Sequence, residues 1–298
     1  MTMTQHLIRA FILTGFAMFI VYLFHTGDIT LYIAPRMELL VKLSALGLYA
    51  AAVYQFYAAL RARIIKRSAE ACECGHDHSP SKLKSAMIYG LFLFPLILGF
   101  LVPTGTLGSA LAAKKGISFT GSEVGVRTEA RLSGEEANEN SGSTLPASDD
   151  LDALFPFDEF TVDHAALGKR LFAQPIIRIP EHQFIETLTA LDLYREAFIG
   201  KEIEISGFVY REEEMGAERL AVSRFAMNCC SADALPYGLM IQWPKASGYA
   251  EDEWVKATGT LATSNYMGNE ILTLTATRIE RIEAPESPYV YPDLEFGL

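Results

Sequence analysis

Residues 200–210, GKEIEISGFVY, and residues 224–243, RFAMNCCSADALPYGLMIQW, decide how this chain is read. In the first, Ile203 and Ile205 alternate with Glu202 and Glu204, the period of a strand with one face toward a core. The second places apolar runs on both sides of a short polar loop, and that loop holds two adjacent cysteines, Cys229 and Cys230. Working outward, strands are expected at 220–227, 239–243, 254–262 and 271–282, which with 202–210 makes about five. Gly207 and Gly259 fall inside them, as expected where a small barrel bends sharply. This pattern predicts a soluble, mainly-β, OB-like barrel domain over 159–298. A short strand at 174–180 and one helix at 184–198 precede it, with Phe184, Leu188 and Leu191 at helical spacing and Gly200 as the stop. The usual barrel of this type carries its helix between strands three and four, so the topology departs from the common one. Glu212, Glu213 and Glu214 read as a solvated turn, and Trp243 and Trp254 as core.

Charge divides the chain. Residues 1–115 carry a net +6 and residues 116–298 a net −17. So acidic a half repels phosphate backbones, which argues against nucleic acid as a partner. The first half is instead rich in Phe, Leu, Ile and Ala, and three membrane spans are expected at 7–24, 39–60 and 86–107 within a transmembrane domain over 1–114. Arg9 before the first apolar run also suits a signal peptide, but no small-residue cleavage site follows it, so a retained helix is expected. Lys42 sits near a span end, where it can snorkel, and Pro95 predicts a kink. Arg61, Arg63, Lys66, Arg67, Lys82 and Lys84 crowd the loop 61–85, which places that loop and the N-terminus in the cytoplasm. Everything after the third span is then extracytoplasmic. Residues 115–158, rich in Gly, Ser, Glu and Asn, read as a flexible acidic linker.

Two clusters could carry chemistry. The cytoplasmic loop contains ACECGHDHS, so Cys72, Cys74, His76 and His78 alternate along seven residues. In extended chain they can converge on one ion, and two thiolates with two imidazoles suit Zn²⁺ or Cu(I). Across the membrane, Cys229 and Cys230 could close a strained vicinal disulfide, bind a soft metal with help from Met227 and Asp233, or pack without function. Arg224, Asn228 and Asp233 are the polar residues expected to shape that binding loop. A C-x-x-C in a βαβ setting, a Ser-His-Asp set and a phosphate-cradling glycine loop are all missing, so a non-enzymatic role is expected. The alternatives are a membrane-tethered thiol redox protein using Cys229 and Cys230, or a metal sensor using the 72–78 box.

GFVYREEE, SRFAMNCCSADALPYGL, the C-terminal PYVYP, TGDITLYIAPRM after the first span and CECGHDHS together resemble the YcgQ-like family of proposed permease subunits. The likeness runs nearly end to end and is weakest across the acidic linker. It implies a multi-span permease as partner in the same cell membrane, and a link to metal- or metalloid-related transport. It supplies no catalytic residues.

Overall fold

The computed structural model describes residues 3–68, 82–102, 112, 116–119 and 148–297. The chain divides into two compact units, Met1–Gly105 and Thr106–Leu298.

The first unit holds α1 (Met3–Thr26), α2 (Glu38–Ser68) and α3 (Lys82–Leu101). Gly27, at φ +82°, ends α1 in the left-handed conformation that glycine adopts without strain. Two 3₁₀ turns, Asp28–Leu31 and Pro35–Met37, then lead into α2. The buried residues of α2 include Ala45, Ala52 and Ala59, seven apart, and those of α1 include Ala10 and Ala17 at the same interval. Small side chains at that spacing let helix backbones approach closely. Against α3, Gly15 lies under Leu96 and Gly99 under Phe19; a Cβ on either glycine would come within 2.6 and 2.7 Å of those side chains. Lys42 reaches Glu38 in the first turn of α2 at 2.9 Å and covers the Phe24 ring.

The remaining large apolar side chains, among them Phe11, Met18, Leu46, Tyr54, Leu91 and Phe94, point outward and are mostly exposed. So continuous an apolar surface is unfavourable in water and favourable in lipid. By length and composition, Met3–Thr26 and Pro35–Ile64 can each cross a membrane, and Ala86–Leu101 is a shorter apolar stretch. The first two expected spans thus lie inside longer helices. The third begins within α3, and its end at 103–107 lies outside the described residues, as does most of the basic loop.

The second unit contains α4 (Ser148–Leu154), α5 (Val162–Phe172), α6 (Phe184–Leu193) and α7 (Arg195–Phe198). Its strands are β1 (Ile176–Arg178), β2 (Glu202–Tyr210), β3 (Arg219–Ala226), β4 (Leu235–Gln242), β5 (Trp254–Tyr266), β6 (Asn269–Arg281) and β7 (Tyr289–Val290). β2 pairs antiparallel with both β3 and β5, β3 with β4, and β5 with β6. β4 runs parallel to β6, so the pairings return on themselves in a circuit. β1 and β7 add parallel edges to β2 and β3. Ile203, Ile205, Val222, Leu239, Ile241, Ala257 and Leu274 point into one core, joined from the helices by Phe184, Leu188 and Leu191. Each of the Ile, Val, Leu and Phe side chains among them contributes about 1.5–3 kcal/mol by leaving water.

Three glycines let these strands meet. A Cβ on Gly207 would stand 2.4 Å from the Ser223 carbonyl oxygen, one on Gly238 2.1 Å from that of Val222, and one on Gly259 2.2 Å from that of Thr275. At Gly259 the β5–β6 register also shifts, the bend expected from the sequence.

The structure departs from the sequence reading in several places, among them the added strand β7 and the extension of β5 to Tyr266. The helix expected over 184–198 breaks at Tyr194 into α6 and α7, because Tyr194 leaves helical dihedrals. Two more helices, α4 and α5, precede it. The expected linker is ordered at both described ends. Phe155 is fully buried over Gly168, in edge contact with Phe172, Tyr194 and Phe198, so the packed domain starts before 159. At the other end Ser118 forms a parallel bridge to Tyr237 and Phe119 packs on Tyr266; residues 120–147 lie outside the described residues. Finally, β4 starts at Leu235 rather than 239. Pro236 and Gly238 look like turn residues, yet both pair with β3, and the Pro236 carbonyl accepts the Ser118 N–H at 3.1 Å.

The acidic turn after β2 is a 3₁₀ turn, Glu213–Met215, with Met215 buried. Glu212 is held there by the Tyr210 hydroxyl at 3.0 Å and by the Tyr266 hydroxyl. Trp243 and Trp254 are half-buried, Trp243 against the core and Trp254 against Phe208.

Two stability measurements test this packing. Gly259→Ala should destabilise the protein by about 1–3 kcal/mol or more, because the clash is with backbone, whereas Gly248→Ala, with open space around it, should be near neutral. Equal melting temperatures for the two variants would refute the close-approach account. Glu186 is buried, with Oε1 accepting the Asp293 N–H at 2.8 Å and Oε2 lacking a hydrogen-bond partner. Burial raises its pKa against the opposing pull of that hydrogen bond. A raised carboxyl pKa means the folded state loses stability as pH rises through it. Glu186→Gln should therefore raise the melting temperature at pH 8 and leave it nearly unchanged at pH 4.

Candidate functional site

The loop between β3 and β4, residues 227–234, is fastened at both ends. Met227 is fully buried, and its N–H donates to the Val290 carbonyl at 2.9 Å. At the far end, the Gly238 N–H donates to the Ser118 carbonyl at 3.4 Å. Between these anchors the chain turns on one carboxylate. Asp233 Oδ1 accepts the Asn228 N–H at 3.0 Å, and Oδ2 accepts those of Cys229 at 2.7 Å and Cys230 at 3.4 Å. The Asp233 N–H returns to the Cys230 carbonyl at 3.0 Å. Aspartate does this because its short side chain reaches the backbone of neighbouring residues in a tight turn.

This arrangement gathers Cys229, Cys230 and Asp233, each half-buried, with their Sγ and carboxylate oxygens all within 4.8 Å of one another. The two Sγ atoms are 3.7 Å apart and both thiols are free. The Cys229 thiol is pushed up to about 11, first by the Asp233 carboxylate beside it and then by its hydrogen bond to the Cys230 sulfur. Burial raises the Asp233 pKa, but the Cys229 thiol and the three backbone N–H groups outweigh it and hold the carboxyl below its usual range. The loop thus presents two adjacent thiols beside an ionised carboxylate, a set suited to soft or borderline cations.

The other residues singled out in the sequence lie differently. Met227 is in the core, and Asn228 is exposed and contributes its backbone N–H. Arg224 is fully buried. Its guanidinium pairs with Glu181 at 2.8 Å, donates to the Ser287 and Pro288 carbonyls at 2.8 and 3.4 Å, and covers the Trp254 ring at 5.0 Å. Arg224 therefore joins β3 to the turn before α6 and to the C-terminal segment. Cys72, Cys74, His76 and His78 lie outside the described residues. Sequence reasoning missed Ser118 and Glu181, because each meets its partner only across a long stretch of chain.

The fold and site define a membrane-associated protein: apolar helices of spanning length, followed by a mostly-β domain with an accessible thiol–carboxylate loop. Residues 8–118 match the DUF1980 N-terminal domain and residues 156–292 the DUF1980 C-terminal domain, and the chain belongs to this YcgQ-like family. It is 27% identical to the UPF0703 protein YcgQ of Bacillus subtilis, over 95% of this chain and 98% of that one. It is 25% identical, over 72% of this chain and 77% of the relative, to a Streptococcus mutans protein named as a proposed subunit of a two-component membrane permease complex. No solved structure matches it.

Asp233→Asn tests the electrostatics of the loop. It removes the charge that keeps the Cys229 proton in place, so alkylation of Cys229 at pH 8.5 should speed up about tenfold or more. Rates unchanged within a factor of two, read by peptide mass spectrometry, would contradict the role assigned to the Asp233 charge.

Proposed function

We propose that this chain is a membrane-anchored, non-enzymatic accessory subunit of a permease, whose β domain presents the 227–234 loop as a binding site for metal- or metalloid-related transport. The observation that carries the reading is the pairing of two features in one chain. One is a set of helices that turn large apolar faces outward; the other is a domain with three accessible ligand groups on one loop. The name of the Streptococcus mutans relative supports a multi-span permease as partner in the lipid bilayer.

In this reading α1, α2 and α3 are three spans of a multi-pass protein of the cell membrane. The basic residues Arg61, Arg63, Lys66, Arg67, Lys82 and Lys84 favour a cytoplasmic N-terminus and an extracytoplasmic β domain. The transmembrane domain covers 1–114, followed by the acidic linker and the β domain. The circuit of five strands, with β4 and β6 parallel, supports an OB-like barrel, and the cysteine loop joins its second and third strands. In barrels of this type the face of those strands is a common binding surface.

The thiol redox alternative, using Cys229 and Cys230, draws support from the 3.7 Å between the two sulfurs. Against it stands the hydrogen bonding that keeps Cys229 protonated, the opposite of an activated nucleophile. A metal sensor using Cys72, Cys74, His76 and His78 rests on the sequence alone.

Affinity purification from gently solubilised membranes should recover a multi-span membrane protein in near-stoichiometric amount. Recovery of this chain alone, under conditions that keep it folded, would count decisively against the subunit reading.

A further inference from the structure

We infer that Cys229, Cys230 and Asp233 form a three-ligand, tetrahedral-type site for Zn²⁺ with its fourth position open to solvent or to a partner's ligand. The inference rests on the binding role proposed above and names the ion that the loop would take. The sulfur spacing is the decisive observation. With metal–sulfur bonds of about 2.3 Å at a tetrahedral angle, two thiolates on one Zn²⁺ stand about 3.7–3.8 Å apart. The two Sγ atoms are 3.7 Å apart before any ion is bound. A linear two-thiolate Cu(I) site needs roughly twice the metal–sulfur distance, about 4.5 Å, so this loop would have to open to form one.

The third ligand is already positioned. A carboxylate has about four lone-pair directions, and at Asp233 three backbone N–H groups fix its plane, with a carboxylate oxygen within 4.8 Å of both Sγ atoms. An ion entering there sits between the two Sγ atoms and the carboxylate. Both thiol protons leave to water as the thiolates coordinate, with no change of oxidation state. Fixing a ligand through its outer hydrogen bonds is the usual way in which a protein orients a metal site. The anchors at Met227–Val290 and Gly238–Ser118 hold the ends of the loop, so little chain must be ordered when the ion binds.

The open position separates this site from a structural one. Structural zinc is enclosed by four protein ligands, whereas a site with three protein ligands keeps its fourth position open to water or another ligand. All three residues are partly exposed, so an ion can enter without unfolding the domain. Met227, the soft side chain nearest in sequence, is fully buried in the core. The fourth ligand is therefore water, or a group on the partner that receives the ion.

The test uses the full-length protein in detergent under reducing conditions, with Cys72→Ser and Cys74→Ser to silence the other cluster, and with Zn²⁺ and Co²⁺ as probes. The expected result is one equivalent of Zn²⁺ and a tetrahedral Co²⁺ spectrum with thiolate charge-transfer bands. Cys229→Ser/Cys230→Ser should abolish both. Asp233→Asn should keep the thiolate bands and weaken affinity about tenfold or more. On the unmutated loop, Zn²⁺ should protect both thiols from N-ethylmaleimide, a readout independent of how any variant folds. No protection, or Zn²⁺ uptake unchanged by the double serine variant, would overturn the assignment. The two readings separate cleanly. A purified permease complex whose loop takes up no Zn²⁺ removes the ion and leaves the subunit role, whereas Zn²⁺ uptake by a chain that recovers no membrane partner does the reverse.

Discussion

The closeness of three backbone contacts governs the C-terminal domain. At Gly207, Gly238 and Gly259 the neighbouring strand comes so near that a single methyl group would collide with a carbonyl oxygen. These contacts let β2, β3, β4, β6 and β5 pair in a circuit, which satisfies backbone hydrogen bonds that an open sheet would leave at its edges. The circuit in turn creates the β3–β4 hairpin. The candidate site is the loop of that hairpin, so it depends on the same close approach.

Two side chains then translate the sheet into a usable surface. Arg224 draws the C-terminal segment and the turn before α6 onto β3, using carbonyl acceptors, one partly exposed carboxylate and the face of Trp254. A guanidinium buried this deeply is tolerable only because each of its three nitrogens has a partner. Asp233 does the corresponding work at the loop itself: its carboxylate gathers three backbone N–H groups and one thiol into a turn of a few residues. The cysteines stand side by side as a result of that turn, while the residue before them in the core, Met227, is withdrawn from it.

Much of this was legible in the sequence, for identifiable reasons. The alternation in β2 and the irregularity at Gly259 are local patterns, and the sheet preserves them. The Cys229-Cys230 pair and Asp233 lie within five residues, so a short loop was bound to keep them near one another. Other features were hidden because they depend on partners far along the chain. The strand expected from 239 starts at Leu235, because Pro236 and Gly238 pair with β3 on one side while Ser118 bridges to Tyr237 on the other. The acidic stretch 148–154 reads as linker because its composition carries no apolar period, although it forms α4, just ahead of Phe155, which packs over Gly168. Arg224 looked like a ligand-binding charge because its partners, Glu181 and the carbonyls of Ser287 and Pro288, are 43, 63 and 64 residues away.

By itself, the sequence determined the division into an apolar helical half and an acidic β half, the places of the main strands, and the ligand types available on the β3–β4 loop. Composition, period and residue chemistry are properties of neighbouring residues, so they can be read without a fold. Only the tertiary structure decided that β4 runs parallel to β6, that 116–119 belongs to the domain, and that Asp233 rather than Arg224 faces the thiols. Those outcomes depend on which distant groups come within hydrogen-bonding or van der Waals reach, and a linear pattern carries no such distances.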